Sequence, residues 1–339
     1  MKDEHTGNEI YEEGKLNEDG LVFSGEYKKT MEEIVLPWLK ERRVDSTEKG
    51  FDGKPLFVSR FSADNPKGTV MILHGFTECV DKFSELIFSF LRHGWSVLMY
   101  DQRGHGRSWR DEKIKDKSLV HVERFEDYVE DMETLCESVL SKMPKPYVLF
   151  CHSMGGAVSG MFLEKHTEPF ERAAMCAPMI APNRNGMPLH LATGIGKTAR
   201  AFGKSRSRVP ITKPYSGPED FETSPASGRE RFDWYDEMKA SVPEFQTNGP
   251  SYGWALESFG VTEKLLAPGA VERITIPVRV YGAERDDSVL QEEQKQFAER
   301  LPNGFRTEIP GSKHEIYRSG DAVFFPWWHE VLQFLTEER

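Results

Sequence analysis

The stretch that most constrains the fold is residues 147–158, which read YVLFCHSMGGAV. Residues 147–151 have strand character, and the small and apolar residues after the two glycines favour a helix. Ser153 stands at the turn between them, where a strained backbone would lift its hydroxyl above a sheet. Gly155 permits a close backbone approach that a Cβ atom would block. The stretch therefore predicts a nucleophilic serine, and a structural serine at a strand–helix turn is the alternative.

The chain has 339 residues, 44 of them basic and 55 acidic, which gives a formal net charge of −11. This length can hold one large α/β domain with an insertion, or two domains. Nucleic acid requires a basic surface that neutralises phosphates, so the charge argues against nucleic acid as the main partner. The four cysteines show no C-x-x-C spacing, which predicts free thiols in a reducing compartment rather than a zinc site or disulfides.

The sequence shows no signal for export or membrane insertion. Residues 1–20 are acidic and polar, without the apolar segment of a signal peptide, and are expected to form a loose leader. No apolar run approaches the roughly eighteen residues that a membrane span needs. These features predict a cytoplasmic protein, and they leave peripheral contact with the inner face of the membrane open.

Strand-like and helix-like patterns alternate along most of the chain. Residues 42–63 contain Asp52-Gly53 between two alternating segments, which predicts a β-hairpin. Strands that alternate with helices form a mostly parallel sheet flanked by helices. The core of this α/β fold is predicted to comprise residues 21–180 and 263–339. Further strands are predicted at 69–73, 95–100, 172–178, 277–281 and 305–309, and helices at 82–93, 125–143, 291–301 and 321–337.

Residues 181–262 interrupt this alternation. They are rich in proline and glycine and carry many aromatic residues, Trp234 and Trp254 among them. An insertion that follows a strand at the carboxyl edge of a parallel sheet lies over the site formed there. The segment is therefore predicted to be a cap, or lid.

A serine hydroxyl is a weak nucleophile, and it requires a base and a group that orients this base. Two loops downstream of Ser153 follow predicted strands, at residues 283–289 and 310–315. Because the carboxyl ends of parallel strands meet at one edge of a sheet, both loops should reach the serine. His314 in the second loop is the predicted base, and Asp286 in the first loop is the predicted acid.

The first of these loops offers more than one acid. Asp287 and Glu284 are neighbours of Asp286, and Asp287 is the main alternative. Asp286 is preferred because it precedes Val289 by three residues, and this apolar residue could anchor the loop in the core.

The negative charge that develops on the substrate oxygen requires hydrogen-bond donors. One predicted donor is the backbone amide of Met154, directly after the nucleophile. The other is the backbone amide of Phe76, in the loop that follows the first predicted parallel strand. Because both donors are backbone groups, side-chain substitutions at these two positions would test them poorly.

Several polar residues near these loops are interpreted as structural. His74 lies in the loop of Phe76, and His152 lies beside the nucleophile as a packing residue. Asp101 and Arg103 are expected to brace loops rather than to react.

Five segments of the chain are similar to those of a known family. They are HGFTE at 74–78, YDQRGHGRS at 100–108, HSMGG at 152–156, APM at 177–179 and GSKHE at 311–315. Together they resemble the monoacylglycerol-lipase and lysophospholipase branch of the α/β-hydrolases, and bacterial lysophospholipases most closely. Cys151 replaces the first glycine of the usual Gly-x-Ser-x-Gly motif, and those bacterial enzymes similarly carry a small non-glycine residue there.

The resemblance implies an α/β-hydrolase fold with an inserted cap. It implies a serine hydrolase that cleaves carboxylic esters of lipids through an acyl-enzyme, with Ser153, Asp286 and His314 as the triad. The expected partner is a small lipid ester, and neither a metal nor an organic cofactor is implied. The sequence predicts no oligomeric state.

Residues 184–213 of the predicted cap contain basic residues and no acid. Interleaved apolar residues could form an amphipathic segment on an anionic membrane, or the basic residues could bind a phosphate headgroup. Arg200 and Lys204 are the basic candidates for substrate binding, with Trp234 and Trp254 beside the acyl chain. An ordinary solvated helix is the alternative. The seven basic residues are Arg184, Lys197, Arg200, Lys204, Arg206, Arg208 and Lys213.

Two other functions fit the same fold. An aminopeptidase of the proline-iminopeptidase type would need acidic cap residues to hold the ammonium group of its substrate. A catalytically silent binding protein is the second alternative, and the presence of a complete serine, acid and histidine set argues against it. The acidic candidates in the cap are Glu219, Asp220, Glu222, Asp233 and Asp236.

Overall fold

The computed structural model describes residues 15–166 and 168–336. The strands of this part are β1 Arg43–Lys49, β2 Pro55–Phe61, β3 Gly68–Leu73, β4 Trp95–Tyr100, β5 Tyr147–His152, β6 Phe170–Cys176, β7 Val278–Arg285 and β8 Gly304–Lys313. The α-helices are α1 Tyr27–Thr30, α2 Leu36–Arg42, α3 Ser84–Arg92, α4 Glu126–Ser138, α5 Met154–Leu163, α6 Leu189–Ala201, α7 Arg229–Ser241, α8 Tyr252–Leu265, α9 Gln291–Arg300 and α10 Asp321–Thr336.

The strands form one sheet in the order β1-β2-β4-β3-β5-β6-β7-β8. β1 and β2 are the predicted hairpin, antiparallel to each other, and β2 is also antiparallel to β4. All the remaining pairs are parallel. The prediction of a mostly parallel sheet is confirmed, and the carboxyl ends of β3, β5, β7 and β8 lie at one edge.

The central strands are buried at every residue, because helices cover both faces of the sheet. Along β3, Met71 and Leu73 belong to the core that α4 and α5 cover. Val70 and Ile72 belong to the core on the other face, which α3 and α10 cover. The continuous apolar runs in the sequence reflect this burial on both sides.

Several element bounds differ from the sequence prediction. The helix predicted from residue 82 begins at Ser84, after a 3-10 turn at Val80–Phe83. The strand predicted at 305–309 continues to Lys313 and so leads directly to His314. The predicted end of the last helix, Glu337, lies outside the described residues.

The prediction of a loose leader is wrong for residues 15–20. Leu16 is buried and forms an isolated antiparallel bridge with Val22. Asp19 is also buried, and its carbonyl oxygen accepts a hydrogen bond from Ser89 Oγ at 2.6 Å. This segment is ordered because it covers α3. Residues 1–14 of the predicted leader lie outside the described residues.

The predicted cap segment contains α6, α7 and α8. α6 packs against α8, where a Cβ atom on Gly196 would lie 3.0 Å from Leu256 Cβ. α8 also packs against α5 and runs to Leu265, across the predicted boundary at 262. α7 instead packs against α1, on the other side of the molecule from α8.

The four cysteines are buried and unpaired, as the sequence predicted. Burial raises the pKa of the Cys136 and Cys151 thiols to about 12. Among the described residues, none of the helices combines the length and apolar character that a membrane crossing requires.

Candidate active site

The turn between β5 and α5 has the strained geometry that the sequence predicts. Ser153 adopts φ 51° and ψ −117°, a left-handed conformation that a non-glycine residue rarely occupies. A Cβ atom on Gly155 would lie 2.3 Å from the carbonyl oxygen of Leu73, so this position requires glycine. The close approach of α5 to the end of β3 therefore holds the serine at the carboxyl edge.

Three distant residues meet at this edge. His314 Nε2 lies 2.8 Å from Ser153 Oγ, and His314 Nδ1 lies 2.9 Å from Asp286 Oδ2. Asp286 follows β7 and His314 follows β8, and the two strands are parallel neighbours. The shared direction of these strands brings both loops to the serine, as the sequence predicted.

The structure distinguishes between the neighbouring acids. The Asp286 side chain is fully buried, and its Oδ1 accepts the amides of Ser288 and Val289 at 3.0 and 3.1 Å. Its other oxygen is thereby directed at His314. Asp287 is exposed and contacts Ser288 Oγ, while Glu284 accepts the amide of Gly311. Asp286 is therefore the acid that contacts the histidine.

The histidine and the aspartate stabilise each other's charged forms. Burial raises the pKa of Asp286, but the contact with His314 and the two amides outweigh it, and the pKa lies below its ordinary value. Burial lowers the pKa of His314, but the Asp286 carboxylate outweighs it, and the pKa lies above its ordinary value. An imidazolium formed during proton transfer would be stabilised here.

The two predicted oxyanion donors lie on either side of the serine. Within the described part of the chain, neither the Met154 amide nor the Phe76 amide donates to a protein acceptor. The neighbouring amide of Gly75 is occupied, because it donates to the Glu78 carboxylate. Free amides at these positions suit a developing negative charge, and the oxyanion role of both residues stays a prediction.

The polar residues interpreted as structural are fixed by hydrogen bonds. His74 Nδ1 donates to the Gly75 carbonyl oxygen, and its Nε2 accepts the Gln102 amide. Burial lowers the pKa of His74 to about 4, so the ring is neutral. Asp101 accepts the amides of Val80 and Arg107, which braces two loops.

An apolar cavity of about 370 Å³ lies in the cap segment, and we call it the cap cavity. It is lined by parts of α6, α8 and residues 182–187 and 209–212, and Trp254 forms part of its wall. The Trp254 ring packs on Phe76 with centroids 4.0 Å apart. Pro182, also in the wall, pairs with Val289 of the acid loop. Two wall residues of the cavity thus contact the loops that carry Phe76 and Asp286, while the triad side chains themselves do not line it.

A larger cavity of about 830 Å³ opens at the amino ends of the strands. Its lining includes Lys67, Trp95, Pro146 and Pro277, which precede or begin strands. It is therefore at the sheet edge opposite to Ser153 and takes no part in the site.

Of the four candidate substrate-binding residues in the cap segment, one lines the cap cavity and the other three lie elsewhere. Trp254 lines the cap cavity, and its contact with an acyl chain stays a prediction. The prediction for Trp234 is wrong, because this side chain packs against Tyr27 on the opposite face of the sheet. Arg200 is ion-paired with Glu257 at 2.7 Å, and its role in substrate binding stays a prediction. Lys204 has no acidic partner in the described part and lines an open groove beside α6.

The acidic cap residues do not line the cap cavity. Asp233 pairs with Arg229, and Glu219 pairs with Lys239. Asp236 accepts the Glu219 amide. These acids serve the local structure of α7 and its flanks, and they offer no anionic subsite for a substrate ammonium group in the cavity.

One cluster of possible metal ligands was found among the described residues, at Asp111, His121 and Glu123. The Arg206 guanidinium pairs with both carboxylates, so a cation already neutralises the cluster. It shares no residue with the triad.

His152 is buried and packs on the rings of His314 and Tyr317, as predicted, but sequence reasoning missed its contact with Glu78. His152 Nδ1 lies 2.9 Å from Glu78 Oε2, and both side chains are buried beside the triad. The available signal was Lys82, which stands four residues after Glu78 on a helical turn and pairs with it at 2.8 Å.

Comparison with known proteins agrees with this geometry. The family model described as serine aminopeptidase S33 matches residues 64–321. The chain belongs to this family. It is an α/β-hydrolase of the serine hydrolase class, and its matched region contains the serine, the aspartate and the histidine that meet at the sheet edge.

Relatives and solved structures extend the comparison. Lysophospholipase L2 of Escherichia coli K12 is 31% identical to this serine hydrolase over 320 residues, which are 91% of this chain and 92% of that protein. The monoacylglycerol lipase of Mycolicibacterium smegmatis is 25% identical over 171 residues, which are 50% of this chain and 57% of that protein. A soluble variant of monoglyceride lipase from Saccharomyces cerevisiae has a TM-score of 0.66 at 19% identity, covering 86% of this chain and 94% of that chain. This last likeness shows the fold.

Proposed function

We propose that this serine hydrolase cleaves the carboxylic ester of a single-chain lipid, and that a lysophospholipid is its substrate. The observation that carries the proposal is the position of His314, within 2.8 Å of Ser153 Oγ and 2.9 Å of Asp286 Oδ2. A hydroxyl, an imidazole and a buried carboxylate in this order form the machinery of acyl transfer through serine.

The reaction proceeds in two halves. Ser153 Oγ attacks the ester carbonyl carbon while His314 Nε2 takes the hydroxyl proton, and the amides of Met154 and Phe76 bind the oxyanion. His314 then gives the proton to the leaving alcohol, and the acyl-enzyme remains. Water, activated by His314, attacks the acyl group and releases a fatty acid. Asp286 holds the imidazole and stabilises its positive charge throughout.

The cap cavity supports the choice of a lipid ester. Its wall is apolar along α6 and α8, which suits an acyl chain, and Arg184 is the charged side chain that lines it. A guanidinium at the cavity suits a substrate that carries a phosphate. The relative named lysophospholipase L2 in Escherichia coli supports the same substrate class. A monoacylglycerol is the second candidate, supported by the Mycolicibacterium relative.

The aminopeptidase alternative has less support. A peptidase of this fold would need an acid in contact with the substrate ammonium group, and the residues lining the cap cavity include none. The binding-protein alternative has less support as well, because the triad contacts are complete.

A substrate panel on the purified protein tests the proposal. Lysophospholipids, monoacylglycerols, short soluble esters and aminoacyl amides are compared for wild type, Ser153→Ala and Ser159→Ala. Ser159 is a matched control, because it is a second buried serine on the helix that follows the nucleophile and is not a member of the triad. We expect Ser153→Ala to abolish ester hydrolysis and Ser159→Ala to retain it. Turnover of aminoacyl amides alone would refute the proposal.

The headgroup is tested at Arg184. We expect Arg184→Met to raise KM for a lysophospholipid and to leave KM for a monoacylglycerol of the same chain unchanged. An equal change in both values would show that Arg184 does not bind phosphate.

We further propose that α6 contacts an anionic membrane surface. Leu191, Ile195 and Phe202 expose apolar side chains there, with Phe202 76% exposed, and Lys204 stands beside them. An amphipathic surface that combines exposed apolar and basic residues suits an interface with anionic lipid. The four buried thiols agree with a cytoplasmic location, which we propose with it.

Vesicle binding tests this contact. We expect Phe202→Ser to weaken binding to vesicles that contain phosphatidylglycerol, while turnover of a short soluble ester stays unchanged. Val44→Ser is the matched control, because Val44 is 55% exposed on β1, away from the cap segment. Equal vesicle binding by the two variants would refute the contact.

A further inference from the structure

A buried carboxylate lies beneath the triad and has no part in the mechanism above. Glu78 has a side-chain exposure of 1% and accepts hydrogen bonds from four donors. These donors are the Gly75 amide, Lys82 Nζ at 2.8 Å, His152 Nδ1 at 2.9 Å and the Tyr317 hydroxyl. A carboxylate with this many donors is fixed in position.

The donors come from all three parts of the hydrolytic site. Gly75 precedes Phe76, whose amide is the proposed oxyanion donor. His152 precedes Ser153 on β5, and its Nε2 lies 3.3 Å from the carbonyl oxygen of His314. Tyr317 lies in the 3-10 turn that follows His314. One carboxylate thus joins the oxyanion loop, the nucleophile turn and the base loop.

The surrounding charges keep this carboxylate ionised. Burial raises the pKa of Glu78, but the interactions with His152 and Lys82 outweigh it and hold the pKa well below its ordinary value. Lys82 also pairs with Glu315 at 2.5 Å, and Glu315 pairs with Arg318 at 2.6 Å. The charges of two carboxylates, Glu78 and Glu315, are therefore balanced by two cations in the buried cluster. Glu78 stays negatively charged, and all four donors can bind to it.

We propose that Glu78 is a positioning residue that sets the relative placement of the oxyanion donors, the Ser153 hydroxyl and the His314 imidazole. The proposal rests on the triad and oxyanion roles given above. Glu78 touches no reacting atom, and it acts through Gly75, His152 and Tyr317. A displacement of about 1 Å in such an arrangement can cost about a hundredfold in rate.

A purely structural role is the competing explanation, and the chain provides a matched control for it. Glu85 is also a buried carboxylate, with a side-chain exposure of 6%. It accepts from the Val22 amide, the Tyr27 hydroxyl and the Arg231 guanidinium. These groups belong to the N-terminal segment and to α7, and none of them belongs to a loop of the hydrolytic site. Glu85→Gln therefore removes a comparable buried charge without touching the site.

The experiment compares Glu78→Gln and Glu85→Gln with wild type by the rate of fluorophosphonate labelling of Ser153, by kcat and KM on a short ester, and by Tm. Gln keeps the size of Glu but replaces one acceptor oxygen with a donor. We expect Glu78→Gln to lower the labelling rate and kcat by about 10- to 100-fold with little change in KM. We expect Glu85→Gln to lower Tm with labelling and kcat within about twofold of wild type.

A second variant guards against simple unfolding. In the double variant Glu78→Gln with Lys82→Met, the buried ammonium that would lose a partner is also removed. We expect Tm to recover and kcat to stay low. Recovery of kcat together with Tm, or a Glu78→Gln labelling rate within twofold of wild type, would overturn the proposal. An equal loss of labelling in Glu85→Gln would overturn it as well.

The labelling readout separates this inference from the proposed substrate. If wild type reacts with the fluorophosphonate but hydrolyses no lipid ester, the substrate proposal fails and the Glu78 comparison still stands. If Ser153→Ala is labelled as fast as wild type, the proposed nucleophile fails.

Discussion

The size of the cap cavity makes a quantitative prediction about acyl-chain length. The cavity measures about 370 Å³. A methylene group is comparable in size to a water molecule, whose share of liquid volume is about 30 Å³, so roughly a dozen chain carbons can enter. Burial of each methylene contributes about 0.8 kcal/mol, which is about fourfold in kcat/KM. We expect kcat/KM to rise with chain length until the cavity is filled, and then to level off.

The perturbation that tests this geometry is Ala192→Phe. Ala192 is buried on α6 and lines the cavity, so a phenyl ring there displaces chain carbons. Loss of only two buried methylenes, about 1.6 kcal/mol, lowers kcat/KM for a long chain by roughly 15-fold. A butanoyl ester that does not reach the ring should be hydrolysed at the wild-type rate.

The assay uses a series of nitrophenyl esters, each below its micelle concentration, with wild type, Ala192→Phe and Ala201→Phe. Ala201 is exposed at the end of α6 and lies outside the cavity lining. Ala201→Phe is therefore the same substitution at a position that the acyl chain does not contact. The cavity is not the acyl site if chain length has no effect in wild type. The same conclusion follows if Ala192→Phe lowers kcat/KM equally for short and long esters.

Further predictions concern the triad and the turn that holds it. Because neutral His314 accepts the proton and the Asp286 carboxylate raises its pKa, kcat/KM should rise with pH through an apparent pKa above about 6.5. Asp286→Asn should shift this pKa downwards and lower kcat by about 10³- to 10⁴-fold, and a pH profile unchanged by the substitution would contradict the assignment. Because the pKa of His314 is raised on folding, protonation of His314 stabilises the fold fully below about pH 6.5, and this stabilisation is lost as the pH rises through the folded-state pKa. In His314→Gln the free energy of unfolding, measured in urea, should therefore depend less on pH across that range. Gly155→Ala should destabilise by about 1–3 kcal/mol, since its Cβ atom would lie 2.3 Å from the carbonyl oxygen of Leu73. At Gly194 an added Cβ would meet open space among the described residues beyond its own helical turn, so Gly194→Ala should instead stabilise α6 by about 0.5–1 kcal/mol. Equal effects at the two glycines would contradict the packing argument.

The triad could be predicted from sequence because each member directly follows a strand of the parallel part of the sheet. Strand direction alone then brings Ser153, Asp286 and His314 to one edge. The choice between Asp286 and Asp287 depended on which side chain faces inwards, and the two backbone amides that hold the Asp286 carboxylate decide it.

The errors concern partners that lie far away along the chain. The partner of Arg200 could not be identified from the sequence, because Glu257 reaches it from α8. Trp234 looked like a cavity residue because it lies in the inserted segment, but α7 crosses to the face of α3 and α10. Glu78 gave only a local signal, and the three loops that it joins are separated by up to 239 residues.

The burial of every native thiol has a practical consequence. A thiol whose pKa lies near 12 is almost entirely protonated at neutral pH, and maleimides react with the thiolate. A cysteine introduced on the surface of α6 would therefore be the group that such a reagent modifies, without prior removal of the four natural ones. Fluorescence or spin labels could then follow the approach of this helix to lipid in the otherwise unaltered protein.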